Sequence, residues 1–153
     1  MTEDADRKPI LVIGYGNDLR SDDGAGRWVA DQIEAMSLPD VEVRSMVQLT
    51  PEVSLDIVDR RLVVFVDASV ETDELKVEDV EPKPDATVLT HHGDPASVLT
   101  VGSLVGHRPG RATLVSIPAR TLGIGSSFSP LAERATREAI EVIVAAIDMA
   151  NRR

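Results

Sequence analysis

Cysteine is absent from the 153 residues of this chain. The absence excludes disulfide bonds, thiolate nucleophiles and cysteine-based zinc ribbons, and it favours the cytoplasm as the location. Long apolar runs are missing too, since no stretch approaches the roughly 18 residues that a membrane-spanning helix requires. The polar start "MTEDADRK" lacks the pattern of a signal peptide. We therefore expect a cytoplasmic protein with no membrane partner.

Positive charge is also scarce. The chain has 16 Lys and Arg against 26 Asp and Glu, which gives a formal net charge of −10. This balance opposes binding to nucleic-acid phosphates and favours cations or basic partners. The hydrophobic share of 42% and the charged share of 27% are those of an ordinary globular protein. The length of the chain predicts one domain over residues 1–153. Its negative charge predicts no nucleic-acid partner.

The apolar pattern predicts alternating strands and helices. The continuous apolar runs "PILVIGY" and "RLVVFVDAS" are typical of strands buried on both faces of a sheet. Four further segments are shorter or alternate in polarity and add strand candidates: "LPDVEVRSMVQL", "ELKVEDVE", "ATVLT" and "RATLVSIPA". Helical spacing of apolar residues fills the intervals between them. The order predicts a three-layer α/β/α sandwich with a mostly parallel sheet of about five strands.

Capping signals mark where the helices begin. Thr50-Pro51, Asp94-Pro95 and Ser129-Pro130 each combine a capping side chain with a proline suited to the first helical position. A further helix is predicted from Gly24 to Met36, with an aspartate at or near its N-cap. In the C-terminal helix, one stripe is expected to pack inward: Leu131, Ala135, Ala139, Val142 and Ala146.

Acidic and imidazole side chains follow three of the predicted strands. Asp22 and Asp23 follow the first strand, Asp67 ends the "LVVFVD" strand, and His91 and His92 follow "ATVLT". The carboxyl ends of parallel strands meet at one edge, so these side chains are expected to converge. Carboxylate and imidazole together suit a divalent transition metal such as nickel, zinc or copper.

Each of these residues also has a purely structural interpretation. Asp22 or Asp23 could cap the helix, and Asp67 could stabilise a turn. The adjacent histidines could be solvated loop residues, and His107, in "GHRPGR", is expected on the surface.

Several other site types find no support. Gly14 and Gly16 begin a dinucleotide-like glycine pattern, but Leu19 occupies the position of its third glycine. No HExxH metalloprotease motif and no GxSxG serine-hydrolase motif occurs in the sequence. We therefore expect the two glycines to allow a tight turn and a close backbone approach.

Four segments together resemble the nickel-iron hydrogenase maturation endopeptidases. They are "GYGNDLRSDDGAG", "VVFVDAS", "THHGDPASVL", and "LVSIPA" followed by "GIGSSFSP" and a terminal helix. The similarity spans nearly the whole chain. It implies an α/β/α endopeptidase that removes a C-terminal extension from a hydrogenase large-subunit precursor once nickel has been inserted.

The resemblance also implies a ligand set and a source for the metal. The metal ligands and catalytic residues would be Asp23, Asp67 and His91, with His92 as the fallback for the imidazole. Nickel would arrive within the precursor and act as the recognition element. Many family members carry Glu at the position of Asp23, and a glycine-rich stretch where this chain has "MVQLTPE".

Two alternatives come from other functional classes. A receiver-like signalling domain would use Asp67 as its phosphoacceptor, but it also needs a lysine at the end of its last strand, and "RATLVSIPAR" has none. The other alternative is a non-catalytic metal-binding chaperone module of the same fold, because a fold does not by itself prove activity.

Overall fold

The computed structural model describes residues 7–83 and 93–152. Its strands are β1 (Ile10–Tyr15), β2 (Val41–Met46), β3 (Leu62–Ser69), β4 (Lys76–Asp79) and β5 (Ala112–Pro118). Its α-helices are α1 (Ala25–Ala35), α2 (Pro95–Leu104) and α3 (Pro130–Asn151), and two 3-10 helices span Ser21–Gly24 and Pro51–Leu55. The predicted strand "ATVLT" lies outside the described residues. Within the described ranges, no helix is long and apolar enough to cross a membrane.

The strands form one sheet in the order β2-β1-β3-β5-β4. Strands β2, β1, β3 and β5 are parallel to one another, and β4 pairs antiparallel with β5. This arrangement confirms the predicted mostly parallel sheet of five strands. All six residues of β1 are buried, as expected for a continuous apolar run at the centre of a sheet. The carboxyl ends of β1, β3 and β5 therefore meet at one edge, which carries the candidate site.

Alternate residues of β1 face two separate hydrophobic clusters. Ile10 and Val12 pack with residues of α1 and α3 on one face of the sheet. Leu11, Ile13 and Tyr15 pack on the other face with residues of α2 and of the 3-10 helix Pro51–Leu55. This two-residue alternation explains the three layers, since each face of the sheet has its own helical cover.

Glycines bring helix α1 into direct backbone contact with the sheet. A Cβ atom added to Gly14 would lie 2.2 Å from the carbonyl oxygen of Gly26, and one added to Gly26 would lie 2.3 Å from that of Val66. No side chain larger than hydrogen fits at either position. The glycines of "GYGNDLRSDDGAG" therefore set how closely α1 approaches β1 and β3.

Two of the predicted proline-associated caps are confirmed, the third marks a helix start at Pro51 without the side-chain bond, and the predicted aspartate cap of α1 is wrong. The Asp94 carboxylate accepts a hydrogen bond from the Ser97 N–H, and the Ser129 hydroxyl accepts one from the Ala132 N–H. Thr50 makes no such side-chain bond, and a 3-10 helix rather than an α-helix follows it. The N-cap of α1 is Gly24 without a side-chain cap, because the carboxylates of Asp22 and Asp23 are bonded elsewhere.

The buried face of α3 differs in part from the predicted stripe. Ala135 and Ala139 are buried as expected. Leu131, Val142 and Ala146 are only partly buried, and the remaining buried positions are Ala132, Thr136, Ile143 and Ile147. A displacement of one residue rotates a side chain by about 100° around a helix. The predicted stripe thus lies toward the border of the face that packs against the sheet and α1.

Replacing Gly26 by Ala should destabilise the fold, since the new methyl group would collide with the backbone carbonyl of Val66. We expect the free energy of unfolding to fall by about 3 kcal/mol or more, the upper range for over-packing. Urea unfolding would measure the loss. The matched control is Gly123→Ala, because a Cβ atom there meets nothing within 4 Å. Equal stability of the two variants would contradict the backbone contact.

Candidate active site

Asp22 is fully buried and joins two loops that are distant in sequence. Its carboxylate accepts hydrogen bonds from the backbone N–H groups of Arg120 (2.8 Å), Thr121 (3.0 Å) and Ser129 (2.7 Å). A fourth bond comes from the Ser129 hydroxyl at 2.7 Å. Burial alone would raise the pKa of Asp22, but these hydrogen bonds to the charged form outweigh it and lower that pKa.

The role of Asp22 is therefore structural, though not the predicted cap of α1. It holds the segment between β5 and α3 against the loop that follows β1, and it supports Ser129, the N-cap of α3. Its partners lie 98 to 107 residues further along the chain. Local sequence pattern has no signal for contacts at that separation.

Asp23 organises the loop between β1 and α1. Its Oδ2 atom accepts a hydrogen bond from the Asn17 N–H at 2.9 Å, and Asn17 Oδ1 accepts one from the Leu19 N–H at 2.9 Å. Gly16 adopts a φ of +143°, and a Cβ atom there would lie 2.0 Å from the Asp23 carbonyl oxygen. The turn at Gly16 thus brings Asp23 back over the end of β1, with its side chain partly exposed.

Asp67 lies near the end of β3, on the α2 side of the sheet. Strand alternation places it on the same face as Val63 and Phe65. Its Oδ1 atom accepts a hydrogen bond from the Ala68 N–H at 2.8 Å, and its side chain is hydrogen-bonded to that of Tyr15. Tyr15 ends the neighbouring strand β1 and is buried. Sequence reasoning missed Tyr15 because it forms part of an apolar run.

The electrostatics of the Asp67 site favour a bound positive charge. Burial is the largest effect that raises the pKa of Asp67 to about 6, and the negative charge of Asp23 adds to it. The hydrogen bonds from Ala68 and Tyr15 act in the opposite direction. Burial also raises the pKa of Tyr15, with the charges of Asp67 and Asp94 contributing, so its hydroxyl remains a proton donor. The charge of Asp23 thus acts on Asp67 across the end of the sheet.

The predicted imidazole ligands, His91 and His92, lie outside the described residues. The description resumes at Gly93, and Asp94 caps α2 while its charge acts on Tyr15. Among the described residues, no group of three His, Cys, Asp or Glu side chains could hold a metal ion. The charge of Asp23 acts on Asp67, and the metal-ligand roles of both residues, like the full ligand set, stay predictions.

His107 lies away from these carboxylates. It follows the C-terminal end of α2, where its backbone N–H donates to the Gly102 carbonyl at 2.7 Å. Its side chain is partly buried rather than on the open surface as expected. The ring atom Nδ1 is buried without a hydrogen-bond partner in the described part of the chain.

Comparison with known proteins gives matches among solved structures. No protein-family model and no curated protein sequence matches the chain. It is similar to the hydrogenase maturating endopeptidase HybD from E. coli, with a TM-score of 0.75, 24% identity, and coverage of 92% of this chain and 93% of that one. A hydrogenase 2 maturation peptidase from a Thaumarchaeota archaeon is 28% identical, with a TM-score of 0.67 and coverage of 92% and 98%. The [NiFe] hydrogenase maturation protease HycI from Thermococcus kodakarensis is 25% identical, with a TM-score of 0.64 and coverage of 91% and 92%.

Replacing Asp22 by Asn should destabilise the protein, because an amide cannot accept all the hydrogen bonds that the carboxylate receives. We expect the free energy of unfolding to fall by about 3 kcal/mol at pH 7, as for a broken buried charged network. The pKa of Asp22 is lowered on folding, so its contribution is present above the unfolded value near 3.8 and is lost as the pH falls through the folded value. Urea unfolding at pH 7 and pH 3 would measure both effects.

Asp18→Asn is the matched control for Asp22, since the Asp18 side chain is 52% exposed on the same loop and makes a surface ion pair with Arg27. Its effect on stability should stay within about 1 kcal/mol. A stability of Asp22→Asn equal to that of this control would show that the carboxylate does not hold the two loops together.

Replacing Asp67 by Asn should stabilise the metal-free protein at high pH. The folded pKa of about 6 exceeds the ordinary value of 3.8, so ionisation inside the fold reduces stability as the pH rises from about 4 to above 6. We expect a gain on the order of 1 to 2 kcal/mol at pH 8 and little difference at pH 4. Chemical unfolding in the presence of a chelator would measure it. A gain that does not depend on pH would contradict the raised pKa.

Proposed function

We propose that this chain is a peptidase and that, like the hydrogenase maturation endopeptidases it resembles, it removes a C-terminal extension from the large-subunit precursor of a nickel-iron hydrogenase after nickel insertion. The observation that carries the proposal is the partly buried Asp67 at the carboxyl end of β3, bonded to Tyr15 and acted on by the charge of Asp23 in the loop after β1. Similarity to solved structures named as hydrogenase maturation proteases supports the substrate class.

The residues at the carboxyl edge of the sheet are suitable ligands for the nickel of the precursor. Two carboxylates act on each other there, and Asp67 is partly buried with a raised pKa, so a cation between them would relieve their repulsion. Carboxylate and imidazole are suitable ligands for nickel. We infer that His91 completes the set, with His92 as the fallback. The position of Asp94 near Tyr15, two residues after His92, supports a contribution from this segment.

Each described side chain has a distinct task in the proposed reaction. Tyr15 donates a hydrogen bond to Asp67 and so orients its carboxylate toward the edge of the sheet. The Asn17 N–H holds Asp23 by one oxygen, and none of the described residues donates a hydrogen bond to the other. Bound by these carboxylates, nickel would supply a positive charge with open coordination positions for the precursor's own groups. The protein would thereby recognise a precursor whose metal insertion is complete.

A cleavage assay tests the proposal. The chain would be incubated with nickel-loaded and nickel-free precursor, and the C-terminus of the large subunit followed by mass spectrometry. We expect cleavage of the loaded precursor only. Binding without cleavage would support a non-catalytic chaperone module instead, and equal cleavage of both forms would remove nickel as the recognition element.

Substitutions test the assignment of residues within the site. Asp23→Asn, Asp67→Asn and His91→Ala should each abolish cleavage while the fold is retained, and His92→Ala should have a milder effect. Asp18→Asn serves as the control on the same loop and should cleave at the wild-type rate, because its side chain is paired with Arg27 at the surface. Full activity of any one site variant would exclude that residue from the site.

A further inference from the structure

Two large aliphatic side chains are exposed on the loops that border the candidate site. Leu19 is 70% exposed in the loop after β1, and Ile124 is 97% exposed in the segment between β5 and α3. Their backbones are neighbours, because the Gly125 N–H donates to the Leu19 carbonyl at 2.9 Å and Arg20 forms a parallel bridge with Gly125. We call this pair the Leu19–Ile124 ridge. Neither residue belongs to the two hydrophobic clusters of the core.

The backbone beneath the ridge is fixed by further hydrogen bonds. The Ser21 N–H donates to the Gly125 carbonyl at 2.8 Å, and the Ser21 hydroxyl donates to the Gly123 carbonyl at 2.8 Å. Arg20 Nε donates to the Leu122 carbonyl at 3.2 Å, and the carboxylate of Asp22 holds the same segment. An apolar surface on such a backbone is already ordered, so little conformational entropy is lost when a partner covers it.

The ridge is continuous with the candidate site. The Leu19 N–H donates to Asn17 Oδ1, and the Asn17 N–H donates to the carboxylate of Asp23. A polypeptide that reaches Asp23 and Asp67 thus comes within contact of the same loop. A second copy of this chain covering that loop would obstruct access to Asp23. The net charge of −10 favours a segment that combines an apolar side chain with basic ones.

We propose that the Leu19–Ile124 ridge binds an aliphatic or aromatic side chain of the hydrogenase precursor and so determines which polypeptide segment enters the site. The inference rests on the proposed function. The Asp22 carboxylate has an indirect part, since it keeps the segment that carries Ile124 against the loop that carries Leu19.

The test is the double variant Leu19→Ala with Ile124→Ala, assayed with nickel-loaded precursor. We expect KM to rise about tenfold or more with kcat unchanged, the pattern for loss of binding that is equal in the ground and transition states. Thermal unfolding should be unaffected because both side chains are exposed. The matched control is Leu104→Ala with Val105→Ala, exposed by 78% and 61%. Leu104 ends α2, about 15 Å along the helix from its start.

The outcomes separate this inference from the proposed function. If the wild-type chain cleaves and the double variant keeps the wild-type KM, the ridge inference is overturned while the function stands. If the wild-type chain binds the precursor without cleaving it, the proposed function is wrong, and the inference about the ridge is then tested by binding affinity alone. Weaker binding by the double variant then supports it, and equal binding overturns it. A wild-type chain that neither binds nor cleaves overturns both.

Discussion

The contact between helix α1 and the central strands is the constraint on which the rest of the site depends. Gly14 and Gly26 allow the backbones of β1 and α1 to touch, and Gly26 also lies against the backbone carbonyl of Val66 in β3. The helix begins immediately after the 3-10 helix Ser21–Gly24, so its position also fixes the two acids within that turn. A side chain at either glycine would lift this turn away from the end of β3, where Asp67 lies.

The two adjacent aspartates illustrate how environment assigns different roles to the same side chain. Asp22 receives three backbone N–H groups and a hydroxyl, so its charge is fully satisfied within the fold. Asp23 receives one backbone N–H and acts electrostatically on Asp67. The structural role of Asp22 and the proposed metal-ligand role of Asp23 are thus divided between neighbours in one turn.

The centre of the sheet could be predicted from the sequence because β1 and β3 are continuous apolar runs. The capping residues Asp94 and Ser129 mark their helices by purely local contacts. The position of Asp23 and Asp67 at the same edge of the sheet followed from a general property of parallel sheets. The task of Asp22 could not be found, because its partners begin at Arg120, far along the chain. The contact between Tyr15 and Asp67 depends on strand order, which periodicity does not reveal.

The proposed function requires that side chains remote in sequence share one metal ion above the carboxyl edge of the sheet. Anomalous scattering at the nickel absorption edge, from crystals grown with nickel, would locate that ion directly. We expect a peak within coordination distance of the Asp23 and Asp67 carboxylates and of the imidazole of His91 or His92. A peak at His107 alone, or nickel bound without either carboxylate, would contradict it.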